Sequence, residues 1–424
     1  MVHHFQHKAG VMHAEEMSIP QLAEEFGTPM YIYSAATFRR HFEVMRTAFS
    51  GINTLIAYAM KANSNQAILT LLAQEGAGAD VVSLGELERA IAAGIPPEKI
   101  VFSGVAKTSE EMRRGLSLGI KCFNLESEPE LERLNGVAKD MGKTAQVSVR
   151  INPNVDAKTH AKISTGKAQD KFGISYERAD EIYAKIAAAS NLNATGIDMH
   201  IGSQITDLEP FENAFALMAN LVTTLRAASH NITHVDVGGG LGIPYHSDNS
   251  PPPDPLAYAA IVKDKVAALE CDLILEPGRL IAGNAGILVS KIEYVKNGGS
   301  NTFYIVDAGM NDLIRPTLYE GHHEIVPVVQ PANETKSIEV DVVGPVCESG
   351  DYFAKKRMLP VLEQGELLAI MSAGAYGAVM SSTYNSRALI QEILVDGDKY
   401  HAVRPRQSIE QLLALDSVPD WLKS

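Results

Sequence analysis

Cysteine is scarce in this chain of 424 residues: there are three, Cys122, Cys271 and Cys347. So sparse, odd and scattered a set argues against a disulfide framework and for a reducing compartment. Positive charge is also in short supply. Lys and Arg number 37 against 51 Asp and Glu, a formal net charge of −14. Such a chain binds nucleic acid poorly and is repelled by anionic membrane surfaces, so any anionic ligand has to be held by a local cluster of donors. Long hydrophobic runs are missing too. None approaches the roughly 18 residues needed to span a bilayer, and Met1 to Gly10 lacks the apolar segment of a secretory signal. The histidines of that stretch, His3, His4 and His7, are not expected to hold a metal, because a terminal arm rarely keeps ligands rigid. These absences point to a soluble cytoplasmic enzyme with no nucleic-acid, membrane or metal partner.

What is present is ordinary globular composition, 46% hydrophobic and 21% charged, with length for a large core. Eight short apolar runs follow one another: Thr54–Ala59, Ala79–Val82, Lys99–Phe102, Lys121–Leu125, Gln146–Ile151, Gly196–Ile201, His234–Val237 and Leu273–Leu275. Amphipathic stretches such as Gln66–Gln74, Leu84–Ala93, Glu126–Met141, Arg178–Ala189 and Phe211–Ala228 lie between them. Strands alternating with helices imply parallel βαβ units, and eight units imply a closed α/β TIM barrel. After Ala282 the texture changes. Ile287–Val295, Thr302–Val306, Glu324–Val329, Ser337–Val343, Leu367–Met371 and Leu389–Val395 predict a C-terminal antiparallel β-domain. Thr28–Tyr33 is a further strand that can join it, and Ser408–Leu415 a final helix. The domain limits expected are 37–281 for the barrel, with 1–36 and 282–424 forming the β-domain. The Pro-rich stretch Ser250–Pro255 reads as a surface loop.

A barrel carries its active site at the C-terminal ends of its strands. The first strand runs into Met60-Lys61-Ala62-Asn63, the sixth into His200-Ile201-Gly202-Ser203, the seventh into Gly238–Gly242 and the eighth into Glu276-Pro277-Gly278-Arg279. Taken singly, each has a plain structural explanation: a solvated lysine, a rim histidine, a tight turn. Together they place an amine able to form a Schiff base beside a glycine loop that can approach a phosphate. Pyridoxal phosphate (PLP) meets both requirements.

These residues carry a resemblance. The runs Tyr58–Asn63, Asp80–Ser83 followed by Gly85-Glu86, Lys171–Gly173, His200–Ser203, Gly238–Gly242, Glu276–Arg279 and Gly344–Asp351 resemble the PLP-dependent decarboxylases of the alanine racemase-like fold (PLP fold type III). Within these, the chain is similar to the diaminopimelate decarboxylases over roughly residues 20 to 415. One departure is Leu84, where many relatives have glycine. The resemblance implies decarboxylation of meso-2,6-diaminopimelate to L-lysine and CO2. It implies that Lys61 binds PLP covalently, that His200 stacks on its ring, and that Glu276 meets the pyridine nitrogen. Ser203, Gly239, Gly240, Gly278, Arg279 and Tyr376 would serve the cofactor's phosphate. Arg279, Arg315, Tyr319, Glu348 and Tyr376 would bind substrate, and Cys347 would donate a proton. A homodimer with shared active sites is implied as well.

Elementary chemistry agrees. Diaminopimelate has a second carboxylate and a second ammonium far from the reacting carbon. Guanidinium groups suit the former and Glu348 the latter. The other readings are a decarboxylase of another basic amino acid or carboxylated polyamine, a racemase, and a non-catalytic homologue. Arg315 disfavours the first, since an ornithine or arginine pocket needs carboxylates at its far end. Lys61 and Cys347 disfavour the last. The polar segment Asn154–Gly173, flanked by Lys167 and Lys171, is either a lid or a surface insertion. Asp80 and Asn63 are expected to support Lys61, and Cys122 to be core.

Overall fold

The computed structural model describes residues 3–423 apart from 158, 164, 168–169, 247–253, 300 and 333–335. The chain forms two compact units. One comprises Phe38–Pro244 with Asp248–Ile281, the other Met1–Thr37, Tyr245–Ser247 and Ala282–Ser424.

The first unit is the barrel. Its strands are β1 (Thr54–Ala59), β2 (Gly78–Val81), β3 (Ile100–Phe102), β4 (Cys122–Leu125), β5 (Ala145–Asn152), β6 (Leu192–Asp198), β7 (His234–Asp236) and β8 (Asp272–Leu275). Each pairs in parallel with the next, and β8 closes on β1. Helices α1 (Gln66–Gln74), α2 (Leu84–Ala92), α3 (Ser109–Leu118), α4 (Glu128–Asp140), α5 (Ala179–Ala188), α6 (Glu209–Ala227) and α7 (Pro255–Val266) lie between the strands. Local chemistry starts them. Asn65 and Ser83 accept from the first-turn amides of α1 and α2, and Thr108 with Glu111 forms a capping box on α3. Ser83 caps α2 directly before Leu84, so the helix begins there without glycine.

Of these seven, α3 and α7 were not among the stretches expected, and neither was the helix Ala35–Ala48 that precedes β1. Helix α3 is polar and carries Gly115 inside it. A Cβ on Gly115 would lie 2.7 Å from the Phe123 ring, so the helix is held close against β4 at a position that weakens its own propensity. Strand β6 also differs. It begins at Leu192 and ends at Asp198, with a register irregularity between Ala194 and Gly196. Met199 to Gly202 is therefore loop. Most of Ser250–Pro255 lies outside the described residues.

The second unit opens with a three-stranded meander, Phe5–Lys8, Val11–Ala14 and Met17–Ser18. It continues in a sheet ordered Tyr352–Pro360, Ser337–Val343, Thr302–Val306, Gly286–Asn297, Met30–Ser34, Gln391–Asp396, Lys399–Arg404. The expected strand near Thr28–Tyr33 takes its place there, antiparallel to Gly286–Asn297. The sheet is mixed. Thr302–Val306 runs parallel to Ser337–Val343, and Met30–Ser34 parallel to Gln391–Asp396, because both pairs are joined by connections long enough to cross over. Ile19, Leu22, Met30, Ile32, Ile287 and Val395 share its buried core. His4 and His7 bond Thr37 and the Pro327 carbonyl respectively, so they do not converge on one point.

Candidate active site

At the end of β1 the chain tightens into the turn Met60–Ala62. The Tyr58 hydroxyl donates to the Asn63 carbonyl at 3.1 Å, and Asn63 Oδ1 accepts from the Asn65 amide at 3.0 Å. That turn carries Lys61. Its Nζ lies 3.1 Å from Asp80 Oδ2, with the lysine side chain 40% exposed and the aspartate fully buried. The amine is thus aimed by a carboxylate yet accessible to a reactant. Glu86, on α2, accepts from the Val82 amide at 2.8 Å. Burial, with Asp80 adding to it, pushes its carboxyl up to about 7.

His200 lies two residues beyond β6 and Gly239 three beyond β7. The Gly239 amide donates to His200 Nδ1 at 3.2 Å, so Nδ1 is an acceptor. Burial, and the nearby Arg150 and Lys61, hold the imidazole well below its usual range. The ring is neutral, with its proton on Nε2. The glycines are required by space. A Cβ on Gly239 would lie 2.2 Å from the Glu276 carbonyl oxygen, and one on Gly240 2.3 Å from that of Gly202. Gly240 also has φ +104°. The Ile205 amide donates to the Gly240 carbonyl at 2.9 Å, which ties this loop to the one after β6. Arg279 Nη2 donates to Ser203 Oγ at 3.2 Å, and Gly278 packs where a Cβ would be 3.0 Å from Ala62 Cβ. Bare backbone, a hydroxyl and a guanidinium make a donor set that suits a phosphate dianion.

Inside the barrel, carboxylate oxygens of Asp198, Asp236 and Glu276 lie within 4.8 Å of one another. Three negative charges cannot coexist so closely in a buried site. Burial raises all three, and each has another carboxyl among its further causes; Asp236 rises to about 7. Arg150 is the buried cation beside them, 3.3 Å from Glu126 and 4.0 Å from Asp198. Glu276 Oε1 also accepts from Ser103 and Asn124 at 3.4 and 3.5 Å. A protonated pyridine nitrogen would find a ready partner here. The Lys61 amine, the phosphate-type donors and the buried acid together fit PLP.

Arg150, Asp198, Asp236 and Glu86 were not among the sequence candidates. Asp198 and Asp236 are the last residues within β6 and β7. With the sixth run expected to reach Ile201 and the seventh Val237, both fell inside the expected strands, and the strand-end rule passed over them.

The remaining candidates belong to the second unit. Arg315 and Tyr319 begin and end a short helix. Thr317, between them, donates to the Gly350 carbonyl, which joins the helix to the loop bearing Cys347 and Glu348. Cys347 is exposed, and its amide donates to Asn385 Oδ1 at 2.9 Å. The neighbouring Glu348 raises the exposed Tyr384 phenol above its usual range. Tyr376 has φ +55° in the turn Ala373–Gly377. Of the loop after β5, Thr165 Oγ1 donates to the His200 carbonyl and the Ser203 amide to that of Ile163. Lys167 pairs with Asp156 at 3.0 Å, and the Lys171 ammonium lies over the Phe172 ring. Cys122 is buried, as expected of core.

Residues 35–283 match the family described as pyridoxal-dependent decarboxylase, pyridoxal binding domain. A diaminopimelate decarboxylase of Zymomonas mobilis is 48% identical over 421 residues, covering 99% of each chain. One from Vibrio cholerae is 49% identical over 410 residues, 96% of this chain and 97% of its own. The crystal structure of diaminopimelate decarboxylase from M. jannaschii in co-complex with L-lysine superposes with a TM-score of 0.94 at 38% identity, covering 99% of both chains. With such identity along nearly its whole length, the chain belongs to the diaminopimelate decarboxylase family of pyridoxal-dependent decarboxylases.

Proposed function

We propose that the protein removes one carboxylate of meso-2,6-diaminopimelate, at the D-configured carbon, and releases L-lysine and CO2. The observation that carries this is the amine of Lys61 beside the glycine, Ser203 and Arg279 donor set, in a chain whose relatives share both substrate and length. When bound, PLP supplies a ring that draws off the electron pair left by the departing carboxylate.

The chain's own groups do the rest. Lys61 Nζ, oriented by Asp80, would hold the cofactor covalently. The neutral His200 ring would pack on the cofactor ring. The Glu276 carboxyl would partner the pyridine nitrogen, sharing a proton with it. Ser203, Gly239, Gly240, Gly278, Arg279 and Tyr376 would bind the phosphate. Arg315, with Arg279, Tyr319 and Tyr376, binds the substrate's far carboxylate, and Glu348 its far ammonium. Cys347 Sγ delivers a proton to the carbon that has lost CO2. The carbon–carboxyl bond breaks, CO2 leaves, and a carbon–hydrogen bond replaces it.

We read residues 37–281 as the cofactor-binding domain, which the family match over 35–283 supports. We take the protein to be a homodimer with shared sites, supported by the exposure of the proposed proton donor Cys347. We assign it to the cytoplasm, since all three cysteines are unpaired and no helix among the described residues is long and apolar enough to cross a membrane. The test is a substrate panel monitored by CO2 release. Meso-diaminopimelate should be turned over, while ornithine and arginine should be very poor. Equal turnover of ornithine would overturn the assignment of the far-carboxylate pocket.

A further inference from the structure

Arg315 begins a helix of five residues, and its side chain is buried. The chain then reverses. Glu320 is left-handed at φ +53°, and the Gly321 amide returns to the Arg315 carbonyl at 3.2 Å. The reversal brings His323, fully buried, against the Arg315 guanidinium. His323 Nδ1 lies 2.7 Å from the Met371 carbonyl oxygen, and His323 Nε2 lies 2.7 Å from Arg315 Nη1.

These partners decide the state of the ring. A carbonyl oxygen only accepts, so Nδ1 carries hydrogen. A guanidinium only donates, so Nε2 offers its lone pair. An imidazolium could not make the second bond. We infer that His323 is a positioning residue for Arg315: as a neutral acceptor it aims the guanidinium at the substrate's far carboxylate without supplying a competing anion. The inference rests on the reading of Arg315 given above.

The surroundings suit that role. Tyr245 stands edge-on to the His323 ring, with centroids 5.4 Å apart, and its face lies 4.3 Å from the Arg315 guanidinium carbon. An aromatic face holds a cation without neutralising it. Arg357 bonds the His323 carbonyl and His322 Nδ1, each at 3.0 Å, and lies 4.0 Å from Glu324. His246 stacks on His322. A carboxylate in place of His323 would bond Arg315 as well or better, but it would also occupy the charge that a dicarboxylic substrate needs.

The test uses the holoenzyme and two competitive ligands: L-lysine, which retains the far carboxylate, and 1,5-diaminopentane, which lacks it. His323→Phe should weaken L-lysine by about tenfold or more, the loss expected for a hydrogen bond to a charged group. It should change the diamine by less than about twofold. His323→Gln should restore L-lysine binding to within about threefold of wild type, since the amide oxygen can accept from Arg315 while its nitrogen donates to Met371. For diaminopimelate, His323→Phe should raise KM more than it lowers kcat. Equal weakening of both ligands would mean a structural role only, and a folded His323→Gln as defective as Arg315→Ala would also overturn the inference. Arg315→Ala separates the two readings. If it leaves L-lysine binding intact, the assignment of Arg315 fails. If it weakens L-lysine while His323→Phe does not, only the role of His323 fails.

Discussion

The barrel interior and the Arg315 cluster are both buried and charged, yet they are built on opposite plans. In the barrel, Asp198, Asp236 and Glu276 crowd within 4.8 Å with Arg150 beside them. There the chain keeps protons on its acids. Around Arg315, a neutral imidazole accepts from the guanidinium and a tyrosine face lies against it. Neither of these two groups brings a negative charge. The difference shows how one protein prepares for two opposite partners. Acids that share protons can turn toward a ring cation, whereas a guanidinium positioned by a neutral acceptor and an aromatic face is suited to a carboxylate.

The barrel side of this comparison breaks most completely at its lysine. Lys61→Ala should reduce turnover to below about a thousandth of wild type, as for loss of a covalent catalyst. Borohydride reduction of the wild-type protein followed by peptide mass analysis should place the pyridoxyl group on Lys61, and a pyridoxyl group on another lysine would refute the assignment. On the other side, Arg315→Ala should cost about 2–5 kcal/mol in kcat/KM for diaminopimelate. A variant with nearly full activity would mean that the guanidinium meets no substrate carboxylate.

A third experiment asks whether the groups in the two units serve one site across a dimer. Lys61→Ala and Cys347→Ala should each be nearly inactive. After subunit exchange, half the dimers are mixed, and each has one site with an intact Lys61 and Cys347 of the partner subunit, so activity should return to about a quarter of wild type. Mass-confirmed exchange without recovery would rule out shared sites.

The smallest effect concerns the shared protons. The folded Asp236 carboxyl titrates at about 7 against an ordinary 3.8. Between these values the folded protein holds a proton that the unfolded chain has released, so this group's contribution to stability falls as pH rises from about 4 to 7. Asp236→Asn should flatten that fall by up to about 1.4 kcal/mol per pH unit. Urea midpoints at pH 5, 6 and 7 measure it, and parallel curves for the two proteins would show that Asp236 carries no such proton.

Legibility in the sequence followed the strength of local signals. Strand β1 was found residue for residue, because its apolar run is bounded by polar turns. Strand β6 was displaced toward its C-terminus, because Met199 to Ile201 continue the apolar pattern after pairing has stopped. Tyr352–Pro360 was missed altogether. Its Lys355-Lys356-Arg357 run hides the alternation, and Lys356 is left-handed at φ +49° in an irregular pairing. Helix α3 could have been found from its capping box, Thr108 with Glu111, although its hydrophobic pattern is weak.

By itself the sequence determined the alternation that makes a barrel, the glycines that only a close backbone approach explains, and the lysine, histidine and acid at the strand ends. Those features depend on neighbours a few residues apart, and a linear pattern records them. Tertiary structure alone decided which groups share a proton or a hydrogen bond. Asp198 and Asp236 meet because β6 and β7 pair in register, and His323 meets Arg315 because a left-handed residue turns the chain back. Charge state and tautomer follow from distances of a few ångströms in a buried space, which no spacing along the chain reveals.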